Sequence, residues 1–295
     1  MLTIRVPHRL SAQSMYGLLR DAIDENMEPR GNNITLDFSH LSFSDAAGIT
    51  VIANLIEWLR KYGVTVSHAN CNIERGGICY LDDCGFFQLY WGHPLSPYAS
   101  PRGSTYPFKR LHCSECHQWV DGNVFPWIAK QTGIREGALT EFKTCIKELF
   151  NNIHDHSSEE VGCMHLQKYP NAERLKIAVS DFDVGIAHEV RKVKAGATDP
   201  YALYLATQEG FTSKADGKNM GAGLSYLIDN VVRRAKGVVE IYSGKGEITF
   251  GLSRAGALLH NTSFANGFYP GTLVSMTLRT DMIPNEEDEA GELLW

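Results

Sequence analysis

Residues 148–157, ELFNNIHDHS, combine helical spacing with the polar residues of a binding site. Glu148, Asn152 and His156 are four residues apart, so they share one face of a helix. Apolar residues in and before this stretch recur with helical spacing, at Leu139, Phe142, Ile146, Leu149, Phe150 and Ile153. The carboxylate and the amide therefore lie where the apolar stripe meets a cleft, and they suit Mg²⁺ binding and activation of a nucleophile. The alternative is a surface helix with a solvated polar edge.

Two later stretches carry further candidate binding residues. Residues 174–186, RLKIAVSDFDVGI, predict a buried strand that ends at Asp181 and is followed by a turn at Gly185. An acid at a strand end, followed by a glycine turn, suits recognition of a polar ligand edge. In residues 210–235, Gly221 and Gly223 precede the apolar positions of a helix. Glycines at a helix start leave backbone N–H groups free for phosphate, although a flexible helix start is the alternative.

The first ninety-five residues predict a smaller α/β layer. Residues 33–68 read as strand, turn, helix and strand, with Ser44 or Asp45 as the cap of the helix. Residues 78–91, ICYLDDCGFFQLYW, predict a second helical region with a break near Gly85. Alternating strands and helices indicate an α/β fold.

The segment after this layer is rich in Pro, Ser and Gly, which is typical of a linker. We therefore predict a domain at 1–95, a linker at 96–111, a second domain at 112–280 and an acidic tail at 281–295. Cys113, Cys116 and His117 form a CxxCH motif. Haem attachment would need an export route, and a zinc site would need four ligands, so we favour cysteines near a helix start and leave metal binding open.

Composition excludes several classes of protein. The formal net charge is −6, and residues 281–295 hold six acidic residues and no basic one, so the remaining chain is balanced. Equal numbers of basic and acidic residues in the rest of the chain give no indication of a basic surface that binds nucleic acid. No apolar stretch is long enough to span a membrane, and the start of the chain has no secretory signal pattern. With seven cysteines, we expect reduced thiols and a cytoplasmic location.

In their order, three of these stretches resemble the motifs of the GHKL ATPase superfamily. ELFNNIHDHS is similar to its N box, SDFDVGI to the first glycine box and NMGAGLS to the second. GFTSK resembles the lid element, and the strands GVVEIYSGKGEITF and GTLVSMTL resemble the closing strands of the domain. The resemblance implies an α/β sandwich, with a mixed sheet covered by helices, over about residues 115–280.

The resemblance also implies roles for individual residues. Glu148 would be the general base, Asn152 the Mg²⁺ ligand and Asp181 the acceptor for the adenine amino group. The remaining nucleotide-binding positions would be Gly185 and Thr272 near the adenine and Lys214, Gly221, Gly223 and Leu224 in the lid and phosphate region. Asp183 departs from the family pattern, because it fills the first glycine position of the first glycine box.

Residues 1–95 resemble the STAS domain of anti-sigma-factor antagonists, through ITLDFSHLSFSD, the turn SDAAGI and CGFFQLY. The family phosphorylates a serine in this turn, but Ala46 occupies that place here. We expect a Mg-ATP-binding ATPase whose lid closure regulates a protein partner, coupled to a STAS-like domain without a phosphorylation site. A serine kinase acting on another protein and a nucleotide-binding scaffold without turnover are the alternatives, and a homodimer is left open.

Overall fold

The computed structural model describes residues 1–156, 161–211 and 223–283. The chain has the α/β fold class that the sequence predicts, with parallel and antiparallel sheets and helices between and around them. Its strands are β1 (Leu2–Arg5), β2 (Arg9–Leu10), β3 (Asn33–Asp37), β4 (Phe43–Ser44), β5 (Thr65–Ala69), β6 (Lys109–His112), β7 (Val161–Tyr169), β8 (Arg174–Ser180), β9 (Val238–Leu252) and β10 (Leu258–Arg279).

The helices follow the apolar periodicity of the sequence in most cases. They are α1 (Met15–Ala22), α2 (Ala46–Lys61), α3 (Gly76–Asp83), α4 (Phe86–Trp91), α5 (Cys113–Trp119), α6 (Phe125–Thr132), α7 (Thr140–His156), α8 (Gly185–Val193), α9 (Asp199–Ala206) and α10 (Gly223–Ile228). Short π-helical stretches connect α5 to α6 at Val120–Val124 and extend α10 at Asp229–Arg234. Within the described ranges, none of these helices combines the length and the apolar character that crossing a membrane requires.

The N-terminal layer is a three-stranded parallel sheet in the order β1-β3-β5. Helix α2 begins at the turn that the sequence singles out, and its cap is Asp45, whose carboxylate accepts a hydrogen bond from the Gly48 backbone N–H at 2.9 Å. Ser44 lies in β4 instead and is 2% exposed. The predicted break in the next helical region is confirmed, since α3 and α4 are separated at Gly85.

The second sheet has five strands in the order β6-β7-β8-β10-β9, and every described neighbouring pair is antiparallel. Side chains alternate between the two faces of a strand. Along β8, Leu175, Ile177 and Val179 join a core that includes residues of α6, α7 and α10. Ala178 joins the other core, which includes residues of α1 to α4. The sheet is therefore covered on both faces, once by its own helices and once by the N-terminal layer.

Helix α2 forms most of this second contact. It contacts β5 of the parallel sheet and also β7, β8 and β10 of the five-stranded sheet. Thirteen of its sixteen residues are buried, as expected for a helix that is packed on all sides. The two halves of the chain thus share one hydrophobic cluster across α2.

The segment predicted as a linker, 96–111, is partly built into this packing. Thr105 is 1% exposed and bridges to Gln167 of β7, and the Phe108 ring lies 5.9 Å from that of His165. Strand β6 begins at Lys109, so the five-stranded sheet starts before residue 112. The composition of residues 96–111 is typical of a linker because the apolar residues that anchor this segment are few and irregularly spaced.

Residues 187–220 predict a lid through their length, their glycines and their charged residues. This stretch contains most of α8 and all of α9. These helices pack on each other, and the Asp199 carboxylate accepts a hydrogen bond from the Lys245 backbone N–H at 2.6 Å. Residues 212–220 lie outside the described part of the chain.

Candidate functional site

Helix α7 presents the acid and amide of the predicted N-box-like motif at the edge of its buried face. Phe142, Leu149 and Phe150 are buried in the core beneath the sheet, whereas Glu148 and Asn152 are half-buried. This is the arrangement that the spacing predicted, with both polar side chains at the border of the core. The side chain of His156 lies outside the described residues.

The start of α10 lies directly against Glu148. A Cβ atom added to Gly223 would sit 3.0 Å from Glu148 Cγ and 3.7 Å from its Oε1. The absence of a side chain at Gly223 therefore leaves room for the Glu148 carboxylate. Leu224, the next residue, packs on the second core and fixes this turn. The predicted phosphate-binding residues Gly221 and Lys214 lie outside the described residues.

Asp181 follows β8 and is held in a largely buried position. It is 9% exposed, and its backbone N–H donates to the Thr272 carbonyl at 3.0 Å. Burial raises the pKa of its carboxyl group to about 7, and the nearby charge of Asp183 adds to that rise. Hydrogen bonds from the backbone N–H groups of Thr272 and Asp183 act in the opposite direction on this pKa. Asp181 is thus a buried acid that changes its charge near neutral pH.

Two glycines allow the chain to pack closely around Asp181. Gly271 has a φ of +85°, and a Cβ atom there would lie 2.4 Å from Asp181 Oδ1. Gly185, at the start of α8, has a φ of +74°, and a Cβ atom there would lie 2.5 Å from Ser243 Oγ. Both positions require glycine for conformation and for space. Gly185, predicted to lie near the adenine, thus packs closely against the protein itself, on β9 and β10.

Ser243 links these parts, and the sequence analysis missed it. Its hydroxyl donates to the Gly271 carbonyl at 2.7 Å and accepts from the Ile186 backbone N–H at 3.0 Å. One fully buried hydroxyl thus ties the first turn of α8 to β10. A single serine in a strand pattern carries no sequence signal for such a role.

The structure brings the predicted residues together in two groups. Asp181, Gly185 and Thr272 form the first, at the end of β8. Glu148, Asn152 and Gly223 form the second, between α7 and α10. Leu149, Ile186 and Leu224, which neighbour members of the two groups in sequence, belong to or pack against the same core.

The donor set of the second group fits a magnesium ion that arrives with phosphate. Mg²⁺ prefers few protein oxygens plus water and phosphate oxygens, and Asn152 and Glu148 supply an amide and a carboxylate oxygen. Within the ranges 1–156, 161–211 and 223–283, no group of three His, Cys, Asp or Glu residues could hold a metal. Cys116 of the CxxCH motif is buried in the second core, and the Cys113 side chain is outside the described residues.

Comparisons with known proteins add little to this geometry. No protein-family model and no curated protein matches the chain. One similar solved structure is the ATPase region of Saccharomyces cerevisiae topoisomerase II, at 11% identity and a TM-score of 0.29 over 47% of this chain and 37% of that one. The same region bound to ICRF-187 (dexrazoxane) gives 13% identity and a TM-score of 0.31 over 51% of this chain and 40% of that one. The chain spans about two fifths of those proteins, and such TM-scores assign it neither a fold nor a function.

Proposed function

We propose that the chain binds Mg-ATP at the two groups described above and hydrolyses it. The observation that carries the proposal is the carboxyl group of Asp181, which lies largely buried at a strand end where Gly271 packs closely against its Oδ1. Burying a carboxyl group and raising its pKa is costly, and such positions occur preferentially at functional sites. The ordered motifs around Glu148, Asp181 and Gly223 support a nucleotide as the ligand.

Asp181 would recognise the base of the nucleotide. An ionised carboxylate is a pure hydrogen-bond acceptor, which matches the amino group on the adenine edge. Since its pKa is about 7, the ionised form predominates only above neutral pH. We therefore expect adenine recognition by Asp181 to strengthen as the pH rises through 7.

Glu148 would act as the general base. Its carboxylate takes a proton from a water molecule while the water oxygen bonds to the terminal phosphorus. The bond between that phosphorus and the leaving oxygen breaks, and its electron pair stays on ADP. Asn152 would help to hold Mg²⁺, which neutralises charge on the phosphate groups when it is bound.

The N-terminal turn fits a structural role rather than phosphorylation. Ser44 is 2% exposed, and Ala46 and Ala47 are fully buried. A hydroxyl group that is packed in this way is closed to a kinase in the folded protein. Regulation of a protein partner through a lid, a homodimer and a cytoplasmic location stay predictions from sequence.

The test separates binding from chemistry. Calorimetric titration with Mg-ATP should show binding by the wild type and by Glu148→Gln, while phosphate release by this variant should fall roughly 10²–10⁴-fold. Asn152→Ala should weaken binding in Mg²⁺ but not in EDTA. The control is Glu141→Gln, which makes the same chemical change two turns earlier on α7. It should keep both Mg-ATP binding and phosphate release.

Each failure has its own meaning. A wild type that binds Mg-ATP but releases no phosphate would support the scaffold alternative. Phosphate transfer to a second protein would support the kinase alternative. A folded wild type that does not bind Mg-ATP would refute the proposal.

A further inference from the structure

The carboxylate of Glu148 is the end of a chain of hydrogen bonds between two helices. Asn151 Nδ2 donates to Glu148 Oε2 at 3.1 Å, and His117 Nε2 lies 2.9 Å from Asn151 Oδ1. His117 belongs to α5, whereas the other two residues belong to α7. The chain therefore connects the histidine of the CxxCH motif with the predicted general base.

The direction of the hydrogen bonds follows from the chemistry of the groups. An ionised carboxylate only accepts, so the Asn151 amide must turn its NH₂ group toward Glu148 and its oxygen toward His117. The His117 ring must then carry a hydrogen on Nε2 and donate it. Both bonds run in one direction, from the imidazole to the carboxylate.

This arrangement makes the two oxygens of Glu148 different. Oε2 accepts from Asn151, while Oε1 lies on the side of Gly223, 3.7 Å from the place of its absent Cβ. Holding one oxygen fixes the direction in which the other can receive a proton. Catalytic proton transfer is sensitive to such orientation.

We propose that Asn151 and His117 are positioning residues that hold Glu148 in the geometry for proton abstraction. The proposal rests on the proposed ATP hydrolysis and deepens it. It also gives His117 a role that needs neither haem nor metal. The neighbouring residues Cys116 and Trp119 are buried, so α5 has a fixed place from which His117 reaches α7.

A second tie between the same helical segments provides a matched control. Asp121 follows α5 in the π-helical stretch and pairs with Lys147 Nζ at 2.7 Å and with Lys143 Nζ at 3.4 Å, both on α7. Asp121→Asn therefore weakens the attachment of α7 to this segment but leaves the hydrogen bonds from His117 to Asn151 and from Asn151 to Glu148 in place. If His117 only attached α5 to α7, His117→Ala and Asp121→Asn would change kcat to the same extent.

The test is steady-state ATP turnover together with Mg-ATP affinity. His117→Ala and Asn151→Ala should each lower kcat about tenfold with KM and affinity unchanged. Their double variant should be no slower than Asn151→Ala alone, because both act through one chain. His117→Gln keeps an N–H donor and should recover most of the rate, and Asp121→Asn should match the wild type.

In proteins that keep Glu148, three kinetic results would overturn the proposal. They are a wild-type kcat for His117→Ala, an equal loss for Asp121→Asn, and losses that multiply in the double variant. In the Glu148→Gln background, His117→Ala should cause no further loss, and a further loss would also count against it.

A spectroscopic measurement keeps the proposal testable if the wild type has no turnover, which would be a failure of the proposed function. The ¹⁵N signals of the His117 ring should shift in Asn151→Ala and in Glu148→Gln but not in Asp121→Asn. Ring signals that stay unchanged in both of the first two variants would refute the chain of hydrogen bonds itself.

Discussion

On one face of the five-stranded sheet, Met164, Ile177 and Val179 pack against apolar side chains of the helices around α7. On the other face lie His165, which follows Met164, and Lys176, which precedes Ile177. Both side chains contact polar groups of the N-terminal layer. Tyr80 Oη lies 3.0 Å from His165 Nε2, and Lys176 Nζ lies 2.6 Å from Asp45 Oδ2.

The two faces of the sheet differ in how strictly their contacts fix the positions of the packed elements. Apolar burial is non-directional, so the first face stabilises the fold without demanding a particular partner for each side chain. Most buried polar groups are paired, so these specific pairs favour one placement of the N-terminal layer on the second face, although His165 Nδ1 is buried without a hydrogen-bond partner. Asn54 Nδ2, which donates to Ser180 Oγ at 2.8 Å, adds a third such pair. We therefore regard the N-terminal layer as a fixed part of the folded chain.

Breaking the ion pair should have the largest effect. Lys176→Ala leaves the Asp45 carboxylate nearly buried without its cation, and the free energy of unfolding should fall by about 3–5 kcal/mol. Urea unfolding followed by circular dichroism measures this loss. A loss below about 1 kcal/mol, the size for an exposed pair, would contradict the account of this face.

The double variant Asp45→Asn with Lys176→Met tests whether the loss comes from an unpaired charge. Asn keeps the cap of α2, and Met keeps most of the length of the lysine stem. This variant should recover at least half of the stability that Lys176→Ala loses. No recovery would contradict the unpaired carboxylate as the cause of the loss and, because Met keeps the stem, would also exclude lost packing of that stem.

His165 should make the polar face sensitive to acid. Burial lowers the pKa of its imidazole to about 3, while the unfolded chain binds the proton at the ordinary pKa near 6.5. Between these values the unfolded state holds more protons, so stability is full above about 6.5 and is lost as the pH falls. The loss due to His165 should be about 2 kcal/mol at pH 5.

The variant His165→Gln isolates this effect. Glutamine keeps a polar atom near Tyr80 but does not titrate. The difference in unfolding free energy between the two proteins should change by about 2 kcal/mol between pH 7.5 and pH 5. A difference that stays constant over this range would show that His165 binds its proton with the same pKa in the folded and unfolded states, which contradicts the effect of burial.

The smallest effect should come from trimming the apolar face. Ile177 is 2% exposed and is the neighbour of Lys176 in sequence. Ile177→Val removes one methylene group and should cost about 0.5–1.5 kcal/mol, because the neighbouring apolar side chains can partly close the gap. A loss as large as that of Lys176→Ala, measured in the same urea experiment, would remove the distinction between the faces.

Periodic patterns explain what the sequence predicted well. Helices α2 and α7 and strands β3 and β8 have long apolar repeats, and the boundaries of β8 placed Asp181 at its end. Contacts between distant segments leave no such pattern. The docking of α2 on the second sheet depends on single polar pairs, such as Lys176 with Asp45, that are 131 residues apart.

The candidate site shows the same division. Glu148 and Asn152 lie at the edge of the buried face of α7, and Asp181 follows β8, as the apolar spacing of the sequence predicted. Their roles in ATP binding and hydrolysis stay predictions. Ser243 and His117 form hydrogen bonds to residues far along the chain. The CxxCH motif singled out His117 as a possible metal or haem ligand, but no local spacing predicts either set of hydrogen bonds. The neighbouring amide Asn151 was visible in the sequence, but only the side-chain geometry shows that it contacts both Glu148 and His117.

The most direct test of the account compares ADP and GDP binding by calorimetry at pH 8, where most Asp181 is ionised. The wild type should prefer ADP at least about tenfold, because the guanine edge offers the carboxylate a second acceptor instead of a donor. Asp181→Asn should lose about tenfold or more in ADP affinity and most of the preference, whereas Asp183→Asn should keep both. Equal wild-type affinities for ADP and GDP, or unchanged ADP affinity in a folded Asp181→Asn protein, would contradict adenine recognition by Asp181.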